Sequence, residues 1–325
     1  MEKGIQFLDE NYKYDNWFLQ IENFDPHEPF FVPDEYLIKY ADNDAEFPFD
    51  WPPYAPVQED CEFVGKIRKK YFALLHFIDD QLNLFLDKMD EYDLWRDTLF
   101  IVNTDHGYLL GEHKWWAKNV MPVYQEIANI PMYVWSPTAQ KRNLKSEALV
   151  QTIDIAPAIL NYFDLPVPDD MQGENLLHVL AEGKSLRKYA LFGYFGKHVN
   201  ITDGRYVYMR SPVRKTNTPL YKYTLNPALM DRRFPVEKIN SSELSEGFRF
   251  TKGCKVLKIP AAQTDNSEFS AYYYGNRLYD LKENPLQTEI IQDKEIEEIM
   301  KREMIRLMNE NDAPKEQYIR LGLEL

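Results

Sequence analysis

Four side chains in this 325-residue chain combine residue type and spacing in ways that can do chemistry. Asp105 and His106 stand side by side directly after the apolar run Thr98-Leu-Phe-Ile-Val-Asn103. Ligands of α/β sheets bind at that place, beyond the carboxyl end of a strand. A carboxylate and an imidazole adjacent on a turn can both reach one divalent cation. Two ligands are too few for tight binding, so others must come from elsewhere. The plainer reading, in which Asp105 caps the turn and His106 hydrogen-bonds locally, is its equal on spacing alone. Lys118 lies thirteen residues beyond Asp105, after Gly111-Glu112-His113-Lys114-Trp115-Trp116. An ammonium near a metal can hold an anionic group or protonate a leaving oxygen, although most lysines are simply solvated. His27 sits between two prolines in Asp25-Pro26-His27-Glu28-Pro29-Phe30. The prolines stiffen the loop and preorganise its side chain, but alone it reads as a rigid surface turn.

The other candidates are weaker. His113 is a spare ligand that reads as a packed residue in a Trp-rich loop, and His76 belongs to a helix. His178 and His198 have no partner visible in sequence. Neither Cys61 nor Cys254 has the company of a nucleophile, and two cysteines make no disulfide framework. No Walker A loop, G-x-G-x-x-G or G-x-S-x-G occurs.

The elements that must position these residues follow from periodicity. Asn16–Phe24 alternates as a strand feeding the His27 loop. Asp42–Pro56 is a Pro- and Asp-rich loop. Phe63, Ile67, Tyr71, Leu74, Leu75, Ile78, Leu82, Leu86 and Met89 recur at helical spacing, which predicts one long helix over Glu59–Tyr92. Thr98–Asn103 and Pro131–Trp135 read as buried parallel strands, with a short helix over Val123–Ala128 before the second and another over Thr152–Phe163 after it. Beyond Tyr189 the texture turns antiparallel. VNITDGRYVYM hinges on Asp203-Gly204, Arg214–Ala262 reads as long loops, and Asn276–Leu281 reads as a strand. A terminal helix covers Glu289–Asn309.

Composition excludes several classes. Apolar residues make up 44% and charged residues 28%, which is globular rather than disordered. Lys plus Arg is 38 against 52 Asp plus Glu, a net charge of −14 and the wrong balance for a general nucleic-acid binder. No run is long enough to cross a bilayer and no signal peptide follows Met1, so a cytoplasmic location is the default. An export leader encoded upstream would make the protein secreted or periplasmic.

Taken together, these residues resemble the formylglycine-dependent (type I) sulfatase family of the alkaline-phosphatase superfamily. The strongest match is Thr104-Asp-His-Gly-Tyr-Leu-Leu-Gly-Glu-His-Lys-Trp-Trp-Ala-Lys118, which has the family's DHG-x-x-LGEH pattern followed by Trp and Lys. Asp25-Pro-His-Glu-Pro-Phe30 looks like its D-P-H-x-P-F loop. Thr152–Pro157, Leu278–Pro285 and Asp312–Leu323 are further landmarks. Iduronate-sulfatase-like and bacterial choline- or arylsulfatase-like members look nearest, and the match is to the C-terminal portion of the family.

The resemblance implies an α/β fold: part of an alkaline-phosphatase-like sheet flanked by helices over residues 1–188, then a smaller antiparallel α+β subdomain over 189–325 with a C-terminal helix. It makes Asp105 and His106 ligands of a divalent cation, calcium first and manganese or magnesium next. Lys118 and His27 become the groups that hold the sulfate of a sulfated sugar or small molecule. Sulfate-ester cleavage builds negative charge on the leaving oxygen, which a cation and preorganised donors stabilise.

One departure matters. The C/S-x-P-x-R motif that yields the formylglycine nucleophile is absent: Cys61 is followed by Glu-Phe-Val, Cys254 by Lys-Val-Leu, and Ser211-Pro212-Val213-Arg214 has the wrong spacing. The upstream pair of metal-binding aspartates is absent too, so the metal site is incomplete. The expectation is an inactive C-terminal fragment whose N-terminal half lies elsewhere, with an apolar sheet edge that invites self-association. Two alternatives remain, a phosphonate or phosphodiester hydrolase of the same superfamily and a non-catalytic binding or assembly subunit.

Overall fold

The carboxylate of Asp60 accepts the backbone N–H of Phe63 at 2.9 Å, an N-cap worth about 1 kcal/mol. From it the long helix Cys61–Glu91 runs for 31 residues, inside the span set by the apolar spacing. In this computed structural model, which describes residues 1–40, 50–139, 143–228, 232–261 and 267–323, the helix serves two clusters. Ile67 and Leu74 pack with Phe30, Leu110, Trp116 and Ala117. Phe85 and Met89 pack with Leu8 and Leu94, Leu8 coming from an N-terminal helix, Glu2–Asn11, that periodicity did not single out. Among the described residues no helix is long and apolar enough to cross a membrane.

The chain folds as two compact units, Met1–Lys118 with Asn129–Arg142, and Asn119–Ala128 with Asn143–Leu325. In the first unit, β1 (Phe100–Asn103) pairs with β4 (Met132–Trp135). Between them β2 (Leu109–Leu110) and β3 (Trp116–Ala117) form a small hairpin.

Three expectations are corrected here. The strands β1 and β4 are antiparallel rather than parallel, and none of their residues is fully buried. The connection between them holds the hairpin and the helical turn Gln125–Ala128 instead of a crossover helix, so the chain returns in the opposite direction. Asn16–Phe24 is not a strand. Its alternation is real, since Trp17, Leu19 and Ile21 join the Leu8 cluster while Phe18 is exposed, but no ladder partner exists among the described residues. Of the Asp42–Pro56 loop, residues 42–49 lie outside those described.

The second unit is mixed α/β. A four-stranded antiparallel sheet has the order β11-β7-β6-β5, from Ala190–Gly193 (β5), Val199–Thr202 (β6), Tyr206–Arg210 (β7) and Arg277–Asp280 (β11). The Asp203 carboxylate accepts the N–H groups of Arg205 and Tyr206 at 2.9 and 2.7 Å, which closes the predicted hairpin turn. One face of this sheet, with Ile201, Tyr208 and Leu278, packs on Met300, Met304 and Met308 of the terminal helix Lys294–Glu310. The third correction concerns Arg214–Ala262. Instead of long loops, its described part holds β8 (Tyr221–Thr224), β9 (Glu243–Ser245) and β10 (Val256–Pro260) in a second antiparallel sheet, order β8-β10-β9. Strands of three to five residues are too short for a two-residue period to stand out.

Candidate active site

The hairpin β2–β3 delivers Lys118, and the LGEH sequence is what fixes the hairpin. Gly111 turns at φ +99°, and a Cβ there would lie 2.8 Å from Val64 Cγ1, so only glycine fits both the backbone and the space. The Glu112 carboxylate accepts the Leu110 N–H and the Arg68 guanidinium, both at 2.6 Å. Arg68 Nε in turn donates to the Leu110 carbonyl at 2.8 Å. These bonds staple the turn to the long helix. On the next strand Trp116 is fully buried and its indole N–H donates to Glu59 at 2.8 Å. Ala117 then turns at φ +69°, and Lys118 enters the interior with 4% of its surface exposed.

Lys118 meets the His27 loop there. Its Nζ lies 3.6 Å from Oε2 of Glu28, which is completely buried, and the same oxygen lies 3.5 Å from Nδ1 of His27. Oε1 of Glu28 accepts the Tyr54 hydroxyl, while Oε2 has no hydrogen bond. Tyr108 closes the group. Lys118 Nζ sits 5.9 Å from its ring centre, and the ring packs edge-on against Phe30 at 5.7 Å. Burial, with the Glu28 charge beside it, pushes the Tyr108 hydroxyl well above the usual phenol range. His27 Nδ1 is 2.5 Å from the carbonyl of Glu28, and its ring lies against Phe24 at 4.6 Å. Both prolyl bonds of the loop, Asp25-Pro26 and Glu28-Pro29, are cis. Burial raises the Asp25 carboxyl above its ordinary value.

Asp105 and His106 form the other pair. The Asp105 side chain is 83% exposed. Its Oδ1 accepts the His106 backbone N–H at 2.9 Å, and His106 Nδ1 lies 2.9 Å from the Gly107 carbonyl. Both local bonds of the plainer reading are therefore present. They do not use up the pair, because Asp105 Oδ2 and His106 Nε2 remain 3.5 Å apart. With Nδ1–H donating to the carbonyl, Nε2 keeps its lone pair, the arrangement common in metal-ligating histidines. At metal–ligand distances of ~2.4 Å that separation subtends roughly a right angle, suited to two neighbouring ligands of one cation. Among the described residues no group of three or more His, Cys, Asp or Glu side chains could hold a metal ion. The residues present thus fit two positions of a coordination shell and do not make a whole one.

Sequence named His27, Asp105, His106 and Lys118; folding brings His27 to Lys118 through Glu28, and Asp105 to His106. Among the described residues no hydrogen bond or ion pair joins the two pairs. Glu28, Tyr54 and Tyr108 escaped the sequence reading. Glu28 had one signal, a carboxylate locked between His27 and Pro29. His113 turns at φ +54° within the stapled turn, and His76 approaches the Tyr40 hydroxyl at 3.3 Å on the long helix. In the second unit His198 is buried, with Nε2 2.9 Å from the Gly275 carbonyl, and burial lowers its pKa to about 4. Both thiols are exposed and free.

Known proteins resemble this chain over part of their length. The chain is 27% identical over 223 residues to an arylsulfatase of Clostridium perfringens, covering 62% of this chain and 45% of that protein. It is 31% identical over 131 residues to an N-acetylglucosamine-6-O-sulfatase of Bacteroides thetaiotaomicron, covering 39% and 23%. The chain thus spans less than half the length of either. Among solved structures, a putative sulfatase from Bacteroides fragilis superposes with a TM-score of 0.66 at 18% identity, over 98% of this chain and 60% of that one. A phosphonate monoester hydrolase of Agrobacterium radiobacter superposes with 0.59 at 17%, over 94% and 58%. These two likenesses show the shared alkaline-phosphatase-like fold. The profile of the N-sulphoglucosamine sulphohydrolase C-terminal region matches residues 111–241. The Sulfatase profile matches residues 1–165, half of the chain, with His27, Asp105, His106 and Lys118 all inside it, and this chain belongs to the sulfatase family of the alkaline-phosphatase superfamily.

Proposed function

We propose that this chain carries the sulfate-holding and part of the metal-binding side of a sulfatase site for a sulfated sugar or small molecule. Lys118 and His27 hold the sulfate ester, Lys118 also facing the leaving oxygen. Asp105 and His106 give two ligands of a divalent cation, calcium first and manganese or magnesium next. When bound, the cation would stabilise negative charge on the ester. The observation that carries the reading is the delivery of Lys118 to the His27 loop by the stapled LGEH turn. Residues 1–188 are assigned to the catalytic α/β domain and 189–325 to a smaller subdomain. The edges of the β1–β4 sheet, unpaired among the described residues, are the place for self-association, which size-exclusion chromatography measures.

Calorimetry tests the reading. N-acetylglucosamine 6-sulfate is expected to bind the wild type and to bind at least tenfold more weakly to Lys118→Met and His27→Ala. Equal binding by all three proteins removes the assignment. With no C/S-x-P-x-R sequence in the chain, no turnover of an aryl sulfate is expected from it alone, with or without added calcium. The structural likeness to a phosphonate monoester hydrolase favours a second reading, in which the same cations hold a phosphonate. Tighter binding of phenylphosphonate than of phenyl sulfate would select it.

A further inference from the structure

Glu28 is the most tightly enclosed charged group of the candidate site, and its position is specific. One of its oxygens lies 3.5 Å from His27 Nδ1 and 3.6 Å from Lys118 Nζ, and no hydrogen bond satisfies that oxygen. A completely buried carboxylate oxygen without a donor is costly unless neighbouring charge offsets the cost. Lys118, with its ammonium nearly enclosed, is the neighbour that does so. The oxygen therefore lies between the two side chains assigned to the sulfate, with His27 Nδ1 also 2.5 Å from the Glu28 carbonyl. The other oxygen is anchored by the Tyr54 hydroxyl, which keeps the carboxylate in place.

We propose that Glu28 is an internal counter-anion of this site: a substrate oxyanion must compete with it for Lys118, and Glu28 thereby sets affinity. This rests on the reading of Lys118 and His27 as the groups that hold the sulfate. A chain without the carboxylate would bind anions more tightly but less selectively, because any oxyanion could then take the ammonium. Tyr54 tunes the competition, since its O–H withdraws part of the Glu28 charge from Lys118.

The test is calorimetric titration with N-acetylglucosamine 6-sulfate at constant ionic strength. The isosteric Glu28→Gln variant is expected to bind about tenfold tighter than wild type, the effect of deleting one nearby like charge. Tyr54→Phe is expected to bind several-fold more weakly, because the undiluted carboxylate holds Lys118 harder. Unchanged or weaker binding by Glu28→Gln overturns the proposal. If instead Lys118→Met leaves binding untouched in both the wild-type and the Glu28→Gln background, the sulfate-site reading itself fails. An independent readout is the rate of reductive methylation at Lys118, followed as loss of tryptic cleavage after it. The rate should rise several-fold in Glu28→Gln, and equal rates in the two proteins would also overturn the proposal.

Discussion

Lys118 and Asp105 are thirteen residues apart on one stretch of chain, yet their surroundings are opposite. Lys118 is 4% exposed and faces a carboxylate that is completely enclosed, whereas the Asp105 side chain is 83% exposed and bonds only to its immediate neighbours. The first pair is assembled by tertiary structure: the long helix holds the LGEH turn, and the two-proline loop brings Glu28. The second pair is assembled by local backbone geometry alone. Stability and ligand binding should therefore separate cleanly between them.

The largest effect is expected at Lys118. Lys118→Met leaves Glu28 buried without its main counter-charge, and breaking such a pair costs about 3–5 kcal/mol. Combining it with Glu28→Gln removes the stranded charge and should recover most of the loss in urea unfolding. A single-variant cost below about 1 kcal/mol would mean that solvent reaches Glu28 and that the contrast with Asp105 is small.

His198 extends the contrast to pH. His198 is 3% exposed and its pKa is lowered to about 4, chiefly by burial, with Arg277, Arg320 and Lys197 nearby. Its unfolded value is near 6.5, so between those two pH values the unfolded chain binds a proton that the folded chain refuses. Stability is then full above pH 6.5, falls as the pH drops and stops falling below pH 4, for a total of at most about 3 kcal/mol. Replacing His198 with Gln should flatten this part of the pH–stability curve; an unchanged slope would assign the acid sensitivity to other groups.

Gly111→Ala probes the staple at a smaller scale. It forces a Cβ against Val64 and an L-residue into φ +99°, a cost of about 1–3 kcal/mol. The hairpin would shift with it, so weaker binding of N-acetylglucosamine 6-sulfate should accompany the loss. Destabilisation with unchanged binding would show that Lys118 keeps its place without the turn.

The same contrast decides what could be read in the sequence. The long helix was legible because nine apolar positions recur at one period, and the chemistry of Asp105, His106 and Lys118 because residue type and spacing are local properties. Strand direction was not, since the apolar run Phe100–Val102 looks the same whether its partner runs parallel or antiparallel. Asn16–Phe24 carried the alternation of a strand, but alternation reports which side chains face a core, here the long helix, and not whether a neighbouring strand exists. Glu28 shows the limit most clearly. Its identity and loop were in plain view, but its role depends on Lys118, ninety residues away in the chain, and on Tyr54.

The smallest effect on stability should come from the metal-side pair, and it is the sharpest test of the comparison. Asp105→Asn and His106→Ala remove side chains that bond only within residues 104–107, so each should change unfolding free energy by less than about 0.5 kcal/mol. Calcium titration by calorimetry should behave differently. Two ligands give weak binding, in the millimolar range or above, and either substitution should weaken it further because the remaining ligand holds the ion poorly. The carboxylate should matter more for calcium than the imidazole, which suits softer ions such as zinc. Asp105→Asn is therefore expected to cost more calcium than zinc affinity, and His106→Ala the reverse. If calcium binds as well to both variants as to wild type, the ions are held elsewhere on this acidic surface, and the loop after β1 is only the self-bonded turn that its hydrogen bonds already make.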